Sequence, residues 1–166
     1  NDAESKGLVK PGCTIVEPSS GNTGVGLALV CLLRGYKLIV VCADNVTTER
    51  IELLKSFGAK IEFSPGAQGS NGAIARAKDL AEQNPDWVML YQYGNPANPA
   101  THVDSTAPEI LADCPEIDVF VAGLGTSGTL MGCSRYLKEH KPGVKVVAVE
   151  PPSGESVSGL RSLDDG

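Results

Sequence analysis

The chain has 166 residues, of which 42% are hydrophobic and 20% charged, and its net charge is −6. That length fits one domain or two small lobes, and that composition can bury a core and is not the composition of a disordered chain. An acidic balance with no basic run argues against nucleic acid or an anionic membrane surface as partner, and the longest apolar run, residues 25–33, is too short to span a bilayer.

In chain order, residues 14–16 read as a short strand ending at Glu17-Pro18. Ser19-Ser20-Gly21-Asn22-Thr23-Gly24 is a turn, and residues 25–34 form an apolar helix closed by Gly35. Residues 37–42 are a buried strand. Residues 48–57 are an amphipathic helix with Ile51, Leu54 and Phe57 on one face, Thr48 as its N-cap and Gly58 as its stop. A strand over 60–63 and a turn over 64–69 lead to a helix over 70–83 that Asn84-Pro85 ends. Residues 88–90 are a strand entering a loop dense in Pro, Asn and Gly, which reads as a lobe boundary. Residues 101–113 are expected to be helical around Pro108. Strands over 117–122 and 145–149 flank a helix over 127–140. Strands alternating with helices predict a parallel sheet covered on both faces, an α/β architecture.

The five cysteines (Cys13, Cys31, Cys42, Cys114 and Cys133) include no C-x-x-C pair and are joined only by His102 and His140, so no metal site is expected. An odd, scattered set suits reduced, mostly buried thiols in a cytoplasmic protein, and no signal peptide is legible. Asn1 in place of Met, and Asp164-Asp165-Gly166 after a Gly/Ser-rich stretch, read as the ends of a segment cut from something longer.

Two Gly-rich turns stand where ligands sit in such sheets, at the carboxyl ends of strands. In the second, Gly123, Gly125 and Gly128 let the backbone turn tightly, and Thr126, Ser127 and Thr129 add hydroxyls. The helix that follows aims unpaired N–H groups and its positive dipole end at the loop, which makes an anion site suited to a phosphate. The first turn again opens a helix, and Asn22 adds an amide able to donate and accept, so a substrate carboxylate is a natural guest. Ser and Thr are also ordinary helix caps, and a Gly-rich turn also serves tight packing. Gly123-x-Gly125-x-x-Gly128 matches a dinucleotide fingerprint, with Glu150 about 20 residues on as a ribose ligand. Against an NAD site stand the crowding of Ser and Thr in the loop and Pro151-Pro152 directly after Glu150.

Taken together, Glu17-Pro-Ser-Ser-Gly-Asn-Thr-Gly24, Gly94-Asn-Pro-Ala-Asn-Pro99 and Ala122-Gly-Leu-Gly-Thr-Ser-Gly-Thr-Leu130 resemble the cysteine synthase family of pyridoxal-phosphate enzymes. The branch most resembled is the B-type, O-phosphoserine sulfhydrylase group. The resemblance implies a tryptophan synthase β-like, fold type II architecture of three-layer αβα lobes, incomplete here. Residues 1–98 would be most of the N-terminal lobe and 99–166 part of the C-terminal lobe. It implies β-replacement on O-phosphoserine or O-acetylserine by a sulfur donor to give L-cysteine, in a homodimer.

By the same resemblance, Gly125, Thr126, Ser127, Gly128 and Thr129 would hold the phosphate of pyridoxal 5′-phosphate, and Asn22 would bond its ring hydroxyl. Ser19, Ser20, Gly21 and Thr23 would embrace the substrate carboxylate. Gln92 would approach the substrate, and Arg161 would contact the phosphate of O-phosphoserine. Ser127 departs from the family's usual Gly, and Ser19 from its usual Thr. The family's Schiff-base lysine lies in a Ser-x-Lys-Asp-Arg type motif ahead of the Asn-containing turn. Neither Lys6 nor Lys10 stands in such a motif, so no catalytic lysine is assigned and the segment alone is expected to be inactive. The alternatives are an NAD-binding unit of an oxidoreductase, resting on Gly123, Gly125, Gly128 and Glu150, and a binding module that kept the pocket without the lysine.

Overall fold

The computed structural model describes residues 1–155, 157 and 159–165. The chain divides into two compact units, Asn1–Tyr91 and Gln92–Gly166.

The first unit holds helix α1 (Asp2–Ser5), strand β1 (Thr14–Pro18), helix α2 (Asn22–Arg34), β2 (Lys37–Ala43), α3 (Thr48–Ser56), β3 (Lys60–Ser64), a 3₁₀ turn (Gly66–Gln68), α4 (Gly69–Gln83) and β4 (Val88–Met89). Its sheet runs β3-β2-β1-β4 with every pairing parallel, Val16 beside Ile39 and Met89, and Val41 beside Glu62. The alternation of a strand sorts its apolar residues to two faces. Ile15, Leu38 and Val40 pack with Ala28 and Cys31 of α2 and Leu54 of α3. Val16, Ile39 and Val41 pack with Ala73, Ala77 and Leu80 of α4. The result is a three-layer αβα sandwich, as the strand–helix alternation predicts.

The start of α2 and the N-cap of α3 differ from the sequence reading, and β1 runs on through Glu17 and Pro18. Helix α2 begins three residues earlier than expected, so Asn22 and Thr23 lie in its first turn with Gly21 as N-cap. The N-cap of α3 is Thr47, not Thr48, and it makes no side-chain cap bond. The backbone bond at Glu49, and after it the Thr47 hydroxyl, hold the Glu49 carboxyl below its usual range.

The second unit holds α5 (Ala97–Thr101), a π turn (His102–Thr106), α6 (Ala107–Asp113), β5 (Val119–Gly123), α7 (Gly128–His140), β6 (Lys145–Val149) and a 3₁₀ turn (Leu163–Asp165). The helix expected over 101–113 is therefore longer and interrupted. Pro108 has no N–H to give the carbonyl of Asp104. Just before it the Ala107 N–H reaches back five residues to His102 rather than four. Strands β5 and β6 are parallel, with Val119 beside Lys145 and Gly123 beside Val149. One core of Ala107, Phe120, Cys133, Leu137 and Val144 joins them to α6 and α7.

Burial raises the thiols of Cys31, to about 11, and of Cys42 and Cys133. Thiols held protonated in this way are packing groups and not nucleophiles. Among the described residues no helix is long and apolar enough to cross a membrane. No group of three or more His, Cys, Asp or Glu among them could hold a metal ion.

Candidate functional site

The first turn follows β1 directly. Ser19 is buried, and its backbone N–H bonds the carbonyl of Val41 on the neighbouring strand at 3.0 Å. Its hydroxyl oxygen accepts the N–H of Gly24 at 3.0 Å and that of Gly21 at 3.3 Å. The N-cap Gly21 has no side chain to cap α2, and Ser19 does this from two residues upstream. Gly24 packs closely here, since a Cβ would stand 3.2 Å from the Ser19 carbonyl oxygen and the turn would have to give by a few tenths of an ångström. Arg50 of α3 donates from Nη1 to the Ser20 carbonyl at 2.8 Å. Nothing in the turn itself announces that tie, since Arg50 lies on the polar face of a distant helix. Ser20, Asn22 and Thr23 are exposed at the start of the helix.

The second turn lies in the other unit, between β5 and α7. Its backbone is anchored at both ends. The Leu124 N–H bonds the Val149 carbonyl at 2.8 Å, and the Arg161 N–H bonds the Leu124 carbonyl at 2.7 Å. A Cβ on Gly125 would come 2.6 Å from the carbonyl oxygen of Gly159. Ser127 takes a left-handed conformation (φ 60°, ψ 1°) as the N-cap of α7. That conformation is costly for a residue with a Cβ and favours glycine. The Ser127 hydroxyl donates to the Thr126 carbonyl at 2.6 Å and does not cap the helix. Its hydrogen is used inside the loop, so what Ser127 presents outward is backbone.

Two side chains from the segment ahead of β5 brace this loop. Asn98 donates from Nδ2 to Thr126 Oγ1 at 2.9 Å and to the Gln92 carbonyl at 2.9 Å. His102 shares a hydrogen bond with Thr129 Oγ1 through Nε2 at 3.2 Å, and one with Thr106 Oγ1 through Nδ1 at 3.0 Å. The sequence singles out neither as a site residue. Asn98 was legible only as one of two Asn in a Pro-punctuated loop, and His102 only as a lone His.

Within this unit the structure therefore gathers Gln92, Thr126, Gly128 and Thr129 around Asn98 and His102. Arg161 lies in the same unit, with its guanidinium 5.2 Å from the centre of the Tyr93 ring. No acidic residue occupies the first turn of α7, and Lys138 and His140 occupy its last, so the helix dipole is complemented at the C-terminal end only. N–H donors, hydroxyls and the positive end of a helix, without a carboxylate, fit a phosphate monoester. Glu150, the residue a dinucleotide would need for its ribose, accepts the Leu163 N–H at 2.6 Å through Oε2.

Comparison with known proteins decides between the two phosphate ligands. A family model described as pyridoxal-phosphate dependent enzyme matches residues 2–164. The chain belongs to this family. Among its relatives are proteins named cysteine synthase. That of a Flavobacterium species is 46% identical over 159 residues, 95% of this chain and 52% of the relative. That of Staphylococcus aureus (strain Mu50) is 45% identical over 159 residues, 95% of this chain and 51% of the relative.

Solved structures of similar fold include an O-ureido-L-serine synthase (TM-score 0.90, 43% identity, 97% of this chain and 54% of that one). Another is a cysteine synthase from Entamoeba histolytica (TM-score 0.86, 36% identity, 96% of this chain and 50% of that one). The architecture is thus the fold type II class of pyridoxal-phosphate enzymes. The chain spans about half the length of the curated relatives it matches.

Proposed function

We propose that this chain carries the substrate-carboxylate turn and the cofactor-phosphate loop of a cysteine synthase. The reaction is β-replacement on O-phosphoserine or O-acetylserine by a sulfur nucleophile, giving L-cysteine. The observation that carries this is the N-terminus of α7. Gly128, Thr129 and the Thr126 hydroxyl stand at a helix end with no side-chain cap and no acidic residue in its first turn. The cysteine synthase relatives at 45% and 46% identity supply the reaction class.

Bound pyridoxal phosphate supplies an electron sink for loss of the α-proton and of the β-substituent. The chain's own part is to hold and orient. The backbone of Gly125, Ser127 and Gly128, with the hydroxyls of Thr126 and Thr129, fixes the phosphate end. Asn22 offers its amide to the ring hydroxyl. Ser19, Ser20, Gly21 and Thr23 take the amino-acid carboxylate, so that the bond to be broken at the α-carbon keeps one orientation. Gln92 lies along the substrate's approach. The protein works in the cytoplasm as a homodimer. The 166 residues alone, lacking a lysine in the family's motif, give no turnover.

Calorimetric titration of the purified chain tests the ligand. Pyridoxal phosphate is expected to bind at least about tenfold more tightly than pyridoxal, the effect of one or two charge-assisted hydrogen bonds of about 1.5 kcal/mol or more each. NAD is expected not to bind. Binding of NAD with pyridoxal phosphate ignored would overturn the reading.

Arg161 tests the substrate. Its guanidinium is a bidentate phosphate donor by chemistry. In the protein of full family length, Arg161→Ala should raise KM for O-phosphoserine about tenfold and leave O-acetylserine nearly unchanged, as expected for one charge-assisted contact. Equal losses on both substrates would remove Arg161 from phosphate recognition.

A further inference from the structure

We propose that Asn98 is a positioning residue that turns the Thr126 hydroxyl into an obligatory donor toward the cofactor phosphate. The inference rests on the phosphate-loop reading above and deepens it. A primary amide nitrogen has two hydrogens, and Asn98 uses both, one on the Gln92 carbonyl and one on Thr126 Oγ1, each at 2.9 Å. Thr126 Oγ1 also faces the Gly128 N–H at 3.5 Å. A hydroxyl oxygen carries two lone pairs and one hydrogen. With donors on the lone-pair side, the hydrogen must be given to an acceptor elsewhere. An acceptor-only phosphate group at the helix end is the partner that matches.

Nothing in the arrangement is loose enough to reverse this. Asn98 is set by its own N–H on the Asn95 carbonyl at 3.0 Å, and Pro99 follows it. The amide oxygen lies against the α-carbon of Gly128 so closely that any Cβ there would collide with it. The amide therefore fills the space beside the first residue of α7, and the glycine leaves it that space. Because Gln92 is tied by its carbonyl, the same amide also fixes the start of the segment that carries Gln92.

The test is a ligand pair read by calorimetry, with the ³¹P resonance of bound pyridoxal phosphate as a second signal. Asn98→Ala should lower affinity for pyridoxal phosphate roughly tenfold, about the worth of one hydrogen bond to a charged group. Affinity for pyridoxal should change less than about twofold, and the ³¹P resonance should move. Thr126→Val should cost a similar factor, and the double variant should cost little more than either single change, because both remove one interaction.

Should Asn98→Ala fold poorly, Asn98→Asp keeps the shape and replaces the donors by acceptors. It should lose at least as much pyridoxal phosphate affinity, while its melting temperature reports whether the fold is kept. Multiplying losses in the double variant, or equal losses for pyridoxal and its phosphate, would overturn the positioning role. A wild-type chain that does not prefer the phosphate form would instead remove the phosphate-loop reading itself.

Discussion

Gly132→Ala is expected to destabilise the second unit by about 2 kcal/mol, and Gly26→Ala to stabilise the first by about 1 kcal/mol. Both glycines sit in the interior of a helix, Gly26 in α2 and Gly132 in α7. Propensity alone predicts that alanine improves each by up to about 1 kcal/mol, through a smaller backbone entropy loss. The surroundings separate them. A Cβ on Gly26 meets nothing within 4 Å. A Cβ on Gly132 collides with the carbonyl oxygen of Pro99 and comes within 2.6 Å of His102 Cβ.

The Pro99 carbonyl belongs to a helix and cannot rotate away as a flexible side chain can. Relief requires α7 to move from α5, an overpacking cost of about 3 kcal/mol that outweighs the propensity gain. The shift would also draw His102 away from Thr129 and so reach the phosphate loop. Urea unfolding of the two variants beside the parent decides the matter. Stabilisation by both would mean that α5 and α7 do not approach as closely as described.

The contrast between these glycines marks where sequence reading succeeds and where it stops. Residues 37–42 are a largely apolar, β-branched run and form a strand buried from Leu38 onward, because a buried parallel strand needs little beyond such a run. The two Gly-rich turns were legible as turns, because glycine, serine and threonine clustered after a strand run break it before the next helix. What could not be read was every role that depends on a partner distant along the chain. Asn98, His102 and Arg50 are ordinary polar residues until the fold brings Thr126, Thr129 and the Ser20 carbonyl to them. The helix expected over 101–113 is there, but its earlier start at Ala97 and its wide turn were not legible. Pro108 signals an interruption, but whether the strain is relieved by a break or by one wide turn depends on packing against α7. Ser127 gave the opposite lesson. Its hydroxyl suggested a further phosphate donor, and the left-handed backbone turns that hydroxyl onto the Thr126 carbonyl instead.

Glu17→Ala is expected to cost about 3 kcal/mol in the first unit. Glu17 ends β1 and is only 1% exposed, an unusual place for a carboxylate. Its Oε2 accepts the Tyr91 N–H at 2.7 Å. Tyr91 has φ 55°, a left-handed conformation costing a bulky residue about 1 kcal/mol or more. The carboxylate thus holds a strained residue at the last position of the first unit. Alanine would leave a part-buried N–H without its acceptor and a void where the side chain was, and these losses add. Removing a buried polar group returns part of the cost of its desolvation, which sets the expected loss below the simple sum.

Glutamine separates charge from shape. Its carbonyl can still accept the Tyr91 N–H, so Glu17→Gln should cost about half as much. The decisive comparison is with Tyr91→Gly, which adopts a positive φ without strain. In that background the backbone no longer needs to be held, and Glu17→Ala should cost at least about 1 kcal/mol less than in the parent, a coupling that a double-mutant cycle measures directly. Equal costs in the two backgrounds would show that Glu17 stabilises its strand end and leaves Tyr91 alone.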